Sequence, residues 1–356
     1  MAVHFHLLKI KNIKKETADC VSVSFEIPES IASQFTFKEG QNITIRKKLN
    51  GEELRRSYSL CNAPHEKELK VAIKKVEAGL FSAFANDELK AGDTLEVMPP
   101  TGKFNSKNNT GNFLAIAAGS GITPVISIIK HTLQTQPQSN FTLIYGNKSR
   151  SAIIFFEELE AIKNKYMQRF TFINILSREK TDAAINYGRI NVDKLESLKR
   201  LINFKTFTDA YLCGPEEMIF ASATFLENEG LSKSNIHFEL FSIPGQKKLA
   251  VGREQIAENS NIIKSSITVK LDGRNFTFDL AYKSDSILDA ALKQGADLPY
   301  ACKGGVCCTC RAKLLEGKVH MDVNYALEEE ELAQGFILTC QSHPLTDKLM
   351  VDFDVK

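Results

Sequence analysis

Cysteine is the residue whose placement most constrains the chemistry of this chain. Of eight cysteines, four crowd into Cys302–Cys310. Cys302, Cys307 and Cys310 follow a Cys-x4-Cys-x2-Cys spacing, and 29 residues separate Cys310 from Cys340. Thiolates are soft, charged ligands suited to iron, and four of them at this spacing hold a 2Fe-2S cluster. Gly304 and Gly305 fit such a loop, because backbone N–H groups must turn toward the sulfides and glycine permits the dihedrals. Each such hydrogen bond stabilises the reduced, more negative cluster. A structural zinc site is the competing use of four cysteines. Zinc usually takes two Cys-x2-4-Cys pairs, and here one side of that pattern is the lone Cys340. Cys308, between two ligands, is expected to point away from the cluster.

A second group of residues suits an aromatic cofactor that carries phosphates. Arg55-Arg56-Ser57-Tyr58-Ser59-Leu60 is followed by Gly79-Leu80-Phe81-Ser82. Tyr58 offers a ring for stacking on an isoalloxazine. Ser59 offers a hydrogen bond near flavin N5, and Arg56 a guanidinium fork for the pyrophosphate. Ser82 and neighbouring backbone N–H groups complete the phosphate site. Taken alone, the first string is equally an ordinary strand with a solvated arginine.

A third group suits a nicotinamide nucleotide. Ala117-Ala-Gly119-Ser-Gly121-Ile-Thr123-Pro124 joins an apolar strand to an apolar helix. Its glycines let backbone approach a pyrophosphate, and the helix N-terminus favours the charge. Pro124 stands where a third glycine of the dinucleotide fingerprint belongs. The next strand ends in Tyr145-Gly-Asn-Lys-Ser-Arg150, with no acidic residue to hold a ribose 2′-OH. Arg150, with Ser177 and Arg178 at the following strand end, suits a 2′-phosphate and favours NADPH over NADH. Solvated loop charges are the plain alternative.

These groups need elements to position them. The first hundred residues read as β-rich: Val21–Ile27, Gln41–Arg46 and Leu69–Val76 alternate apolar and polar positions between short turns, which predicts an antiparallel barrel or sandwich. From Asn112 the pattern changes. Phe113–Ala118 is continuously apolar, as in a strand buried on both faces. A helix is predicted from Thr123 as N-cap and Pro124 as first residue. Candidate strands Phe141–Tyr145, Phe170–Leu176 and Ala210–Cys213 alternate with helical stretches, so a parallel sheet with helices on both faces follows. The polar stretch 244–262 reads as a linker. Beyond it, Ile267–Leu271 and Phe276–Phe278 flank Asp272-Gly273, a strong hairpin signal. A short helix with Ile287, Leu288, Ala291 and Leu292 on one face ends near Gly295. The expected domains are 1–105, 106–243 and 263–356.

Composition agrees with globular domains: 43% of residues are apolar and 25% charged, so each domain can bury a core. The net charge of +2 and scattered Lys and Arg argue against a nucleic-acid partner. No basic, apolar leader opens the chain, and its most apolar stretch is too interrupted for a membrane span. Crowded thiols without such a leader point to a reducing, cytoplasmic setting. His4, His6, His320 and His343 read as surface or satisfied core residues. Glu328–Glu331 reads as a solvated helix face. The last segment is somewhat acidic, with 14 Asp and Glu against 11 Lys and Arg from Ile263 onward. Such charge could steer docking to a basic partner.

Around its cysteines the chain resembles the plant-type ferredoxins, over about Ile267 to Val355. The resemblance implies a β-grasp fold with the cluster on the Cys302–Cys310 loop. Residues 5 to 243, through the Arg56–Ser59 and Gly79–Ser82 motifs, resemble the oxygenase-reductase branch of the ferredoxin–NADP reductase superfamily. That resemblance implies a barrel binding FAD, with FMN used by some relatives. It also implies that Cys213-Gly214-Pro215 lies beside the nicotinamide ring. Glu239 and Phe241, in Phe238-Glu-Leu-Phe241, are candidates to lie against the flavin, although an edge strand explains them as well. Catalytic roles are expected for Tyr58, Ser59 and Cys213.

The expected reaction takes a hydride from NADPH onto FAD and releases electrons singly through the cluster. The strings Tyr300-Ala-Cys-Lys-Gly-Gly-Val-Cys-Cys-Thr-Cys310, Arg55–Cys61 and Val97-Met-Pro-Pro-Thr-Gly102 are similar to those of phenylacetyl-CoA epoxidase reductases. A di-iron oxygenase component is therefore the expected acceptor. A reductase of free flavin or quinone and a non-catalytic redox sensor are the rivals.

Overall fold

The computed structural model describes residues 4–105, 108, 110–241, 264–282 and 284–355. The segment 244–262, for which the sequence suggests a linker, lies outside the described residues. The chain divides into two compact units, Phe5–Phe241 and a unit formed mainly by Ser242–Lys356.

The first unit opens with six antiparallel strands: β1 (His6–Thr17), β2 (Cys20–Glu26), β3 (Asn42–Leu49), β4 (Glu52–Ser59), β5 (Leu69–Lys74) and β6 (Thr94–Val97), with helix α1 (Leu80–Asp87) before β6. Their order is β4-β3-β6-β1-β2-β5. In β1, Leu8 and Ile10 turn into the core while Leu7, Lys9 and Lys11 face water, the period of a half-buried strand. Leu60 bridges Val71, and the Cys61 N–H donates to the Lys70 carbonyl at 2.9 Å. The continuation of β4 thereby meets β5 and closes the barrel.

The same unit continues into a five-stranded parallel sheet. Its elements are β7 (Asn112–Ala118), α2 (Ile122–Thr135), β8 (Asn140–Asn147), α3 (Phe156–Lys165), β9 (Phe170–Leu176), α4 (Val192–Leu198), β10 (Asp209–Gly214), α5 (Glu216–Asn228) and β11 (Ile236–Leu240). The order β11-β10-β7-β8-β9 places the apolar Phe113–Ala117 run at the centre, buried on both faces. The strand order reverses between β7 and β10, and a crevice opens at such a reversal beyond the carboxyl ends of the strands.

The second unit contains β12 (Lys264–Leu271), β13 (Arg274–Ala281), α6 (Ile287–Lys293), β14 (Arg311–Glu316), β15 (Val319–Met321), α7 (Glu329–Ala333), β16 (Phe336–Leu338), β17 (Ser342–Pro344) and β18 (Lys348–Asp352). A mixed sheet runs β13-β12-β18-β14-β16, with β12 and β18 parallel. Ile287, Leu288 and Ala291 bury one side of α6 in the core of this unit. Asp272 (φ 53°) and Gly273 (φ 71°) form the two-residue hairpin turn expected from their sequence. Both backbone N–H groups donate to the Asp354 carboxylate, which holds its pKa below the usual carboxylate range.

Three details differ from the sequence reading. Helix α2 begins earlier, because a 3-10 turn over Gly119–Gly121 runs into it. Thr123 is therefore not its N-cap, and its hydroxyl donates to the Ser120 carbonyl at 3.0 Å. The candidate strand Ala210–Cys213 runs on to Gly214, and a further strand, β11, follows it at the sheet edge. The Glu328–Glu331 run is not simply a solvated face. Glu331 is buried, accepts a 2.5 Å bond from Arg311 and caps the start of α7 through the Glu328 N–H. Among the described residues, no helix is long and apolar enough to cross a membrane.

Candidate functional site

In the first unit the candidate residues gather where the barrel meets the reversal of the parallel sheet. Strand β4 carries Arg56, Ser57, Tyr58 and Ser59. Arg56 folds back to its neighbour's carbonyl (Nη1 to Arg55 O, 2.8 Å), and Ser57 lies 3.3 Å from the Thr44 hydroxyl. The Tyr58 ring is half-buried, 5.7 Å from Phe81 at a tilt of 33°. Burial pushes the Tyr58 hydroxyl pKa up, against the pull of Arg56. Phe81 is only 2% exposed, so it backs Tyr58 from the core.

Gly79 precedes α1, and Leu80 begins it with its side chain in water. The Ser82 hydroxyl donates to the Gly79 carbonyl at 3.0 Å and accepts from the Val76 N–H at 3.1 Å. It shapes this loop and leaves the first-turn N–H groups of α1, which have no intrahelical acceptor, open to an anion. A β-carbon on Gly79 would lie 2.5 Å from the Ser82 oxygen, so a side chain there would displace that hydroxyl. An open ring at Tyr58 beside free helix N–H groups fits a flavin nucleotide.

The nucleotide turn is built by close approach. Gly119 has φ +55°, and its carbonyl accepts the Tyr145 hydroxyl at 2.8 Å. A β-carbon on Gly121 would lie 2.0 Å from the Cys213 carbonyl oxygen, and one on Gly214 3.2 Å from the Ala118 N. The end of β7, the start of α2 and the end of β10 can converge only because these positions lack side chains. Pro124 sits in the first turn of α2, where its missing N–H removes no helical bond, and Pro215 precedes α5. This cradle fits a pyrophosphate.

Cys213 is fully buried, and burial pushes its thiol pKa well up, with the nearby Glu239 carboxylate adding to the effect. Strand register sets Glu239 directly beside Cys213. From the barrel, the Ser59 hydroxyl donates to Glu239 Oε2 at 3.3 Å. Ser59, Cys213 and Glu239, 180 residues apart at their extremes, thus form one polar cluster. Phe241 follows β11 with its ring partly exposed.

At the strand ends, Arg150 and Arg178 are exposed. The Arg150 guanidinium lies 4.9 Å over the Phe156 ring, while the backbone N–H of Arg150 donates to Glu179 Oε2 at 2.8 Å. The Ser177 hydroxyl donates to the Asn147 carbonyl at 3.2 Å and so ties β9 to β8. Sequence reasoning missed two neighbours. Lys74 brings its Nζ within 3.9 Å of the β-carbon position of Gly119, and Tyr187 bridges Leu176 with its ring exposed. A single lysine in a strand and a tyrosine in a polar loop carry no signal of their own.

In the second unit, the loop Cys302–Cys310 is bent by Lys303 (φ 51°) and Gly305 (φ 74°). A β-carbon on Gly305 would lie 2.8 Å from the Val323 carbonyl oxygen. The Gly304 N–H points at Cys302 Sγ at 3.3 Å, and Gln341 Nε2 at Cys340 Sγ at 3.7 Å. Gln341 also bonds the Lys303 carbonyl at 2.9 Å, so the two cysteine-bearing segments are tied together. The thiols interact in pairs. A hydrogen bond from Cys307, with the N–H groups of Gly304 and Val306, draws Cys302 down to about 7. A bond from Cys310 lowers Cys340 in the same way. Among the described residues, no three His, Cys, Asp or Glu side chains converge as ligands of one metal ion. The Thr309 hydroxyl is buried, with no oxygen or nitrogen partner, and turns to the Cys307 thiol as its hydrogen-bond acceptor. The Cys308 thiol turns to the Ala326 carbonyl at 3.2 Å. The donor set and its N–H lining fit a 2Fe-2S cluster.

Residues 7–106 match the oxidoreductase FAD-binding domain, residues 115–224 the oxidoreductase NAD-binding domain, and residues 269–345 the 2Fe-2S iron-sulfur cluster binding domain. These three domains on one chain define an oxidoreductase with FAD-binding, NAD-binding and 2Fe-2S domains. The chain is 45% identical to one of the subunits of 1,2-phenylacetyl-CoA epoxidase of Escherichia coli K12, over 99% of this chain and 98% of that protein. It is 32% identical to the ferredoxin reductase component of 3-ketosteroid-9-alpha-monooxygenase of Rhodococcus rhodochrous, over 98% and 96%. It shares the fold of phthalate dioxygenase reductase, with a TM-score of 0.60 at 22% identity over 98% of each chain. The chain belongs to the family of oxygenase reductase components that join FAD, NAD and 2Fe-2S domains.

Proposed function

We propose that this reductase takes electrons from NADPH and delivers them singly to a di-iron oxygenase of the phenylacetyl-CoA epoxidase type. The observation that carries the reading is the meeting of Ser59, from the flavin-motif strand, with Glu239 and Cys213, from the nucleotide sheet. When bound, FAD supplies exchange between a hydride and single electrons, and the cluster supplies a one-electron store.

The chain's own residues orient and exclude water. Arg56 and the first turn of α1 hold the flavin phosphates, Tyr58 packs on the ring, and Ser59 directs its hydroxyl to the reacting edge. Gly119, Gly121, Thr123 and Pro124 shape the nucleotide turn, with Lys74 as an added cation. Cys213, Gly214 and Pro215 border the nicotinamide, and Glu239 holds Ser59 in place while Phe241 covers the ring. Cys302, Cys307, Cys310 and Cys340 hold the cluster. A cytoplasmic setting suits the free thiols.

Ser59→Ala and Glu239→Gln are expected to slow flavin reduction at saturating NADPH by about tenfold to a hundredfold, the scale of lost alignment. Stopped-flow bleaching of the flavin band measures this. Wild-type rates in both variants would remove the cluster from the mechanism.

Arg150 and Arg178 carry the preference for NADPH, supported by the absence of an acid at the end of β8. Arg178→Ala is expected to raise KM for NADPH about tenfold, the worth of one hydrogen bond to a charged group. KM for NADH should hold. Equal changes with both nucleotides would reject the assignment. The acceptor is tested by reconstitution. Turnover stimulated by purified epoxidase subunits supports the reading, and turnover supported only by free flavin or quinone rejects it.

A further inference from the structure

The contacts that tie the barrel to the nucleotide sheet concentrate on helix α2. Lys130 is 8% exposed, buried with Ile126, Ile129 and Leu133 on helix α2. Burying an ammonium is costly unless it is paired. Its Nζ meets the Cys61 carbonyl at 3.3 Å, Glu66 Oε2 at 3.3 Å and the Glu158 carboxylate on α3. One turn earlier, the Ser127 hydroxyl donates to the Asn62 carbonyl at 2.7 Å and accepts from the Gly40 N–H at 3.4 Å. Asn62 is fully buried and fixed in turn, accepting the Lys70 N–H at 3.0 Å through its Oδ1.

The connectivity gives these bonds a use. Residues 60–66 directly continue the strand that bears Arg56, Tyr58 and Ser59. The N-terminus of α2 directly continues the Gly119–Gly121 turn. A helix of this length moves as a rod, so a shift at Lys130 is felt at Gly121. We infer that Lys130 and Ser127 are positioning residues that hold the nucleotide turn in register with the flavin strand. They act through backbone placement and touch neither cofactor.

The inference rests on the proposed hydride transfer, and its test separates the two. Lys130→Met keeps the stem of the side chain and removes the charge. Glu66 and Glu158 remain about a third exposed, so their carboxylates can turn to water. Ser127→Ala is the milder variant and carries the test if Lys130→Met fails to fold. In the full chain loaded with FAD, Lys130→Met is expected to slow flavin reduction at saturating NADPH about tenfold or more, toward the ~100-fold cost of a 1 Å misplacement. The dissociation constant for NADPH should change far less. Amide hydrogen exchange should rise over 60–66 and 119–123 in both variants, with or without nucleotide. Lowered thermal stability with unchanged hydride-transfer rate and unchanged exchange at the turn would overturn the inference and leave a purely structural ion cluster. Failure of the wild-type protein to reduce its flavin with NADPH would instead defeat the hydride reading. The exchange data would still judge the positioning role.

Discussion

Cys310→Ser should abolish electron delivery to cytochrome c, by about a hundredfold or more, while NADPH still bleaches the flavin at the wild-type rate. The side chain is 1% exposed and packs in the core of the second unit, so serine preserves its volume. What changes is the ligand: a hydroxyl is harder and far less acidic than a thiol, and iron in such a site selects thiolate. Cys310 shares a hydrogen bond with Cys340, and the serine would remove one of the four residues that would hold the cluster. Metal binding and folding are coupled, so the second unit should also melt earlier while the first unit is unchanged. Cys308→Ser is the informative contrast, because that thiol bonds the Ala326 carbonyl, and its variant should retain the cluster spectrum and full turnover. Loss of the cluster in Cys308→Ser, with retention in Cys310→Ser, would reverse the ligand assignment.

Gly121→Ala is the second large effect. Its new methyl would lie 2.0 Å from the Cys213 carbonyl oxygen and 2.9 Å from the Gly214 N. Both are backbone atoms of an interior strand, β10, so neither can swing aside as a flexible side chain would. Overpacking a tight site costs about 1–3 kcal/mol. Felt in nucleotide binding, that range is roughly a five- to hundredfold loss of affinity for NADPH. The strain falls on the turn and on Cys213, so hydride transfer should slow as well. The FAD content should hold, because the barrel residues that carry the flavin motif lie on other strands. Titration of NADPH against flavin fluorescence, beside the FAD content of the purified variant, checks both statements. Wild-type affinity in Gly121→Ala would show that the turn yields to a methyl group without strain.

The legible parts of the fold were those written locally. The apolar run Phe113–Ala118 announced a strand buried on both faces, Asp272-Gly273 announced a hairpin turn, and Gly295 announced a helix end. The cysteine spacing announced the cluster loop, since all but one of its candidate ligands lie within nine residues. What stayed hidden depends on pairing across distance. Ser59 and Glu239 are brought together by strand order, which periodicity does not encode. Lys130 reads as a lone lysine on a mostly buried helix until Glu66 and Glu158 are seen around it. Glu331 reads as one of four solvated carboxylates until the fold buries it against Arg311. Ser82 looks like a phosphate donor because its type permits it, and only the loop geometry shows its hydroxyl already engaged with Gly79 and Val76.

That one chain converts hydride into single electrons, across a flavin domain and a four-cysteine cluster, is tested most directly by anaerobic reduction of the purified protein with NADPH, followed by visible absorbance and electron paramagnetic resonance. The flavin band should bleach together with the rise of the paramagnetic signal of a reduced 2Fe-2S cluster, in protein containing iron and acid-labile sulfide in equal amounts. Zinc in place of iron, or a flavin that bleaches while no cluster signal develops, would contradict it.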